Sequence, residues 1–175
     1  GGTIPYVKHH DDFAQRCANY VAASRGGCHI WIIGNEPNLT NEWPGYEGFI
    51  EPITAARYVQ CFLKVRAKIK AVAGHSGDQV IPAAVGTWAV LPETGDWIDY
   101  WKYLLNNLNG KCDALAVHTY THGVDPNLIF SDVKMITPAG RYYHFRAYKD
   151  YLNAVPSAMR GLPVCPALRL ISRLL

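Results

Sequence analysis

Along this chain apolar residues recur at helical spacing, then in short unbroken runs, and the two patterns alternate. Residues 11 to 24 carry Phe13, Cys17, Tyr20, Val21 and Ser24 on one face, with Asp11 or Asp12 as a cap and Gly26-Gly27 as a stop, which predicts a helix. The apolar run 29 to 33 predicts a strand covered on both faces. A loop rich in Pro, Gly and aromatics fills 35 to 51. Residues 54 to 73 predict a long helix presenting Ala55, Val59, Phe62, Ile69 and Ala73, with Gly74 as its C-cap. "QVIPAAVG", 79 to 86, predicts a second strand, although Pro82 has no N–H to give a ladder. The stripe Trp97, Ile98, Trp101, Leu104, Leu105 and Leu108 behind an Asp96 cap predicts a helix over 96 to 109. "DALAVHTY", 113 to 120, predicts a third strand. A long loop, a helix over 141 to 154 (Tyr142, Phe145, Tyr148, Leu152) and a strand start at "GLPVC", 161 to 165, complete the order.

Alternation of this kind predicts an α/β fold of parallel βα units, because each crossover needs a covering helix. No Gly-rich loop follows any strand, which disfavours an open nucleotide-binding sheet. A (β/α)8 barrel is favoured, yet 175 residues fall short of the ~250 of a complete one. The expectation is a single domain over 1 to 175, an incomplete TIM barrel with an atypical tail over 165 to 175.

Charge and cysteines add exclusions. The formal net charge is +3, and Lys64, Arg66, Lys68 and Lys70 alternate with Val65, Ala67 and Ile69. That is a solvated helix face, so no nucleic-acid partner is expected. The five cysteines form no Cys-x-x-Cys pair, and most of them sit in apolar stretches, as small buried hydrophobes do. No run approaches the ~18 apolar residues of a membrane span, so no membrane partner is expected. The start lacks a secretory pattern, and the compartment stays undetermined.

The chemistry gathers at strand ends. Glu36 follows the first run within Asn-Glu-Pro-Asn, Thr87-Trp88 follow the second, and His118 and Tyr120 close the third. In a barrel these positions share one rim. A carboxylate with amides, an indole, an imidazole and a phenol suits a sugar, whose hydroxyls take hydrogen bonds and whose ring faces stack on aromatics. Asn-Glu-Pro-Asn is also good turn chemistry. A metal-dependent hydrolase is a third reading, through His118 with His122, or His9-His10. The first pair spans a strand end and a loop, not the helical spacing of zinc ligands, and no metal or other cofactor is expected.

"WIIGNEPN" resembles the strand-four signature of the clan A glycoside hydrolases, the retaining (β/α)8 enzymes, and "VHTY" resembles their strand six. The resemblance implies barrel strands four to six and the start of seven, with helices three to six. It implies Glu36 as general acid/base, Asn35 as the ligand of the sugar 2-hydroxyl, and His118 and Tyr120 as substrate contacts or orienters of the nucleophile. Trp88 is read, apart from the resemblance, as a stacking platform. The family's nucleophile is a Glu ending strand seven. Here the tail reads "PALRLISRLL", and no Asp or Glu follows Asp150. Glu42, Glu47, Glu51 and Glu93 do not lie on that strand. The expectation is therefore a glycosidase-like chain without its nucleophile and inactive, from a truncated or frame-shifted gene end or a cloned fragment. The alternative is a non-catalytic remnant that binds carbohydrate or assembles with itself. Open barrel edges lead to an expected homo-oligomer.

Overall fold

The computed structural model describes residues 3–171. A 3-10 turn at Val7–His9 leads into α1 (His10–Ala23). Strand β1 (Ile30–Ile33), helix α2 (Ala55–Lys70) and strand β2 (Gln79–Pro82) follow. A small antiparallel hairpin, β3 (Val90–Leu91) and β4 (Gly95–Asp96), precedes α3 (Trp97–Leu108). Strand β5 (Leu115–His122), α4 (Ala147–Asn153) and β6 (Val164–Ile171) close the order. No helix among the described residues is long and apolar enough to cross a membrane.

The strands form two parallel pairs, β1 with β2 and β5 with β6. The Gln79 N–H donates to His29 O at 2.8 Å, so the next residue, Val80, turns its own polar groups away from β1. There Val80 O accepts from Asp113 N at 3.2 Å and Val80 N–H donates to the Asp113 carboxylate at 2.9 Å. Burial opposes the Asp113 charge, but the Val80 amide, Arg66 and Lys70 outweigh it and hold the carboxyl below its usual range. The spatial order is thus β1, β2, β5, β6, an α/β arrangement of parallel strands. No closed barrel forms among the described residues.

The helices cover one side of these strands. Trp97 and Trp101 of α3 are wholly buried against the α4 ring of Tyr151, edge-on at centroid distances of 4.7 and 5.6 Å and interplanar angles of 63° and 87°. Tyr58, buried on α2, donates its hydroxyl to Ile33 O and accepts from Ala83 N, both at 2.6 Å. It binds the end of β1 to the end of β2. Burial drives its phenol far above the ordinary range, so the proton it donates persists.

Several expectations shift. Strand β1 is covered on one face only: Ile33 is buried, but Ile30 and Ile32 are 54% and 50% exposed. Ile32 is the register partner of Ile81, which packs with Ala84, Ala114 and Ala116, so both point to the inner face that the helices do not reach. The buried stripe of α1 runs through His10, Ala14, Ala18 and Val21, leaving Tyr20 exposed, and neither Asp11 nor Asp12 caps it. Asp11 instead pairs with Lys64 at 2.7 Å. Helix α2 stops at Lys70, and Gly74 serves the next turn with φ 84°. Arg66 and Lys70 leave the solvated face to pair with Asp113 at 3.0 and 3.2 Å. Strand β2 ends at Pro82 because Ala83 N and Ala84 O are taken by Tyr58 and by Glu36 N. Helix α4 begins at Ala147, since the Tyr142 N–H is captured by Asp150 at 2.7 Å and Lys134 bridges to Tyr142. Residues 164–171 continue as strand β6; residues 172–175 of the expected atypical tail lie outside the described residues.

Replacing Tyr58 by Phe leaves Ile33 O and Ala83 N buried without that partner. We expect a loss of about 1–3 kcal/mol, the cost of unsatisfied buried groups. Urea denaturation of the variant against the parent measures it, and an unchanged midpoint with unchanged slope would sink this account of the strand ends.

Candidate active site at the strand ends

The Asn-Glu-Pro-Asn segment is held by its neighbours from both sides. Gly34 has φ 93°, and a Cβ there would lie 2.4 Å from the Thr3 methyl, so only glycine fits. Glu36 follows with φ 41°, a left-handed conformation uncommon for a residue with a side chain. Its N–H donates to Ala84 O at 3.0 Å. Asn38, 1% exposed, exchanges both amide groups with Gly86: Nδ2 donates to the carbonyl at 3.0 Å and Oδ1 accepts the N–H at 2.5 Å. The Trp43 indole donates to Pro37 O at 3.0 Å, and the Thr94 hydroxyl donates to Asn38 O at 3.2 Å. The loop after β1 is thus fastened to the chain leaving β2, and the turn is rigid where the carboxylate projects.

That carboxylate meets the inner face of β5, which runs on to His122, two residues past the end expected from sequence. Glu36 Oε1 lies 2.7 Å from His118 Nδ1 and accepts the Tyr120 hydroxyl, while Tyr120 Oη is 2.7 Å from His118 Nδ1. His118 and Tyr120 alternate with outward-facing residues on β5, which puts both on the inner side. Thr87 donates its hydroxyl to His118 O at 2.7 Å and ties the chain beyond β2 to the middle of β5. The Glu36 and His118 side chains keep 15% and 17% exposure, enough for a small polar molecule to reach them. A carboxyl hydrogen-bonded by an imidazole and a phenol can pass a proton to or from a bound oxygen.

An aromatic wall stands beside it. Trp88 has φ 67°, and its indole N–H donates to Tyr142 O at 2.9 Å. Its ring lies 5.9 Å from Tyr120 and 4.1 Å from His122. His122 stacks on Tyr143 at 3.9 Å and 3°. Burial, and then His122, lower the pKa of His144, and its Nδ1 accepts the His122 N–H at 3.2 Å as a neutral ring does.

The structure brings Glu36, His118, Tyr120 and Trp88 to one rim. The Asn35 side chain turns elsewhere, donating to Glu42 Oε1 at 3.0 Å. Glu47 is engaged by Lys8 and by His9, at 2.6 Å from the imidazole, and Glu51 lies 3.6 Å from Arg57. His118 and His122 go to different partners, Glu36 and Tyr143 O, and form no shared ligand set. The reading from sequence gave Asn38, Thr87 and Tyr143 no part in the site and weighed His122 only as a metal ligand. His122 could have been found as the next inner-face position after Tyr120; Tyr143 could not, because its helical pattern hid a bend.

Neither family models nor curated proteins match this sequence. Among solved structures the fold is similar to that of AbfB, a family 51 α-L-arabinofuranosidase from Bifidobacterium longum, with a TM-score of 0.50 and 14% identity. The likeness covers 81% of this chain and 26% of that one, so the chain spans about a quarter of that protein's length. At this identity the likeness concerns the fold alone, an α/β arrangement of parallel strands that corresponds to part of that protein.

Asn38→Ala removes both bonds to Gly86 and frees the loop that presents Glu36. We expect about 1–3 kcal/mol of destabilisation, together with faster amide exchange at Glu36 than in the parent. Hydrogen exchange followed by NMR reads both; parent-like protection at Glu36 would refute the fastening role.

Proposed function

We propose that the chain is a glycosidase-like domain of the retaining, two-carboxylate type that binds carbohydrate without hydrolysing it. One observation carries the reading: a carboxylate on a left-handed turn after β1, Glu36, held by His118 and Tyr120 on the inner face of β5. Glu36 takes the acid/base position, His118 and Tyr120 orient it and contact the sugar, and Trp88 offers a face for a sugar ring. Asn35 reaches a sugar 2-hydroxyl by leaving Glu42.

A retaining reaction needs a second carboxyl ~5–5.5 Å from the first to attack the anomeric carbon. In register with His118 through His122, β6 offers Ala167, Leu168, Arg169, Leu170 and Ile171, none of them acidic. With no carboxylate on that strand among the described residues, a proton donor alone cannot complete the double displacement.

A panel of aryl glycosides, β-linked sugars and an aryl α-L-arabinofuranoside among them, tests this together with calorimetry on the free sugars. We expect no turnover and saturable binding of at least one sugar. Trp88→Ala should weaken that binding by up to about tenfold, as loss of one ring contact does. Turnover that disappears in Glu36→Gln would make the chain a working enzyme; absence of any sugar binding would end the carbohydrate reading.

A specific observation supports self-association as well. Ile30 and Ile32 present an apolar inner face beside an edge of β1 that no strand pairs among the described residues. A second copy covers both in the assembly we propose. Sedimentation should show a dimer or larger species that Ile32→Lys converts to monomer; a parent chain that is monomeric at high concentration contradicts it.

A further inference from the structure

At the end of β1 opposite Glu36 lies a second cluster of side chains. His29 precedes β1, and His75 and Asp78 occupy the turn between α2 and β2. The Asp78 carboxylate is 2% exposed, with Oδ1 2.7 Å from His29 Nδ1 and Oδ2 2.7 Å from His75 Nδ1. The Trp31 indole donates to Oδ2 at 2.6 Å. One donor atom from each of the three lies within 4.8 Å of the others, a grouping found nowhere else among the described residues. We propose that His29, His75 and Asp78 bind one divalent transition-metal ion of the zinc class, pinning the starts of β1 and β2 together.

The donor set selects the ion. Two imidazoles and one carboxylate suit zinc, cobalt, nickel or copper, whereas calcium and magnesium want oxygen alone. An ion takes the place of the protons that now lie between the rings and the carboxylate. The donors need only spread slightly to stand ~2.0–2.2 Å from it. His29, whose side chain is 60% exposed, is free to make that adjustment and leaves a water-filled fourth position on its side. The Trp31 indole orients the carboxylate from outside, as outer-shell donors do. Lys70 approaches the Asp78 backbone carbonyl, but its charge is taken up by Asp113 at 3.2 Å. Binding draws two segments distant in sequence into one cage, so its free energy adds to folding stability. The inference is independent of what happens at Glu36.

The test uses the full chain without an affinity tag, stripped with chelator and titrated with Zn2+ or Co2+. We expect one equivalent bound, a tetrahedral cobalt spectrum, and a Tm that rises with zinc concentration. His29→Ala touches an exposed side chain and should keep the parent fold by circular dichroism while weakening the ion by more than the ~10–100-fold of an outer-shell loss. Cys28→Ser controls for the neighbouring thiol and should leave binding unchanged. No bound ion after dialysis, binding retained in His29→Ala, or binding lost in Cys28→Ser would each overturn the proposal.

Discussion

The hydroxyl of Tyr58 sets where two strands end, and the rest of the rim is hung from that point. It sits at the core between helices and sheet, donating to the last carbonyl of β1 and accepting from the first amide beyond β2. A buried peptide group without a partner is costly, so these two bonds are close to obligatory once α2 is packed. They release the next residues from the ladder. Ala84 O then serves Glu36, and Gly86 serves Asn38. A core residue on a helix thereby decides the position of a carboxylate several residues from any helix.

The carboxylate itself stands on strained backbone. A left-handed residue with a side chain costs of order 1–3 kcal/mol and persists only where its surroundings dictate it. Here Gly34, the Ala84 carbonyl and the Asn38 exchange do so for Glu36. Trp88, the other rim residue with positive φ, is held through its indole by Tyr142 O. Glu36 and Trp88 thus both carry positive φ beyond the carboxyl ends of the paired strands β1 and β2. The other described side-chain residues with positive φ, Arg25 and Asn109, follow the ends of α1 and α3.

Local periodicity made much of the fold legible. Helix α3 and its Asp96 cap follow directly from the stripe Trp97 to Leu108, because one apolar face and one capping side chain determine them. Strands β1, β2 and β5 came from apolar runs, and their order from alternation. What failed depended on distant partners. Composition cannot tell that Ile30 and Ile32 lose their cover, that Asp150 captures the Tyr142 amide and delays α4, or that Asp113 recruits Arg66 and Lys70. At the site, Glu36, His118 and Tyr120 were readable because strand ends concentrate chemistry. The turn of Asn35 toward Glu42 was not, since Glu42 lies a loop away with no pattern linking them.

The parallel strands also divide labour between their two ends. At the carboxyl ends polar groups are left partly open and the backbone is strained, which suits ligand contact at a cost in stability. At the amino ends two acids, Asp78 before β2 and Asp113 before β5, are clamped by several donors each. Burial opposes both charges, yet Trp31, His29 and His75 around Asp78, and Val80, Arg66 and Lys70 around Asp113, hold the carboxyls below their usual range. A depressed carboxyl stabilises the folded chain above its unfolded pKa and ceases to do so as pH falls through the folded value. The lower end therefore supplies stability at neutral pH where the upper end spends it.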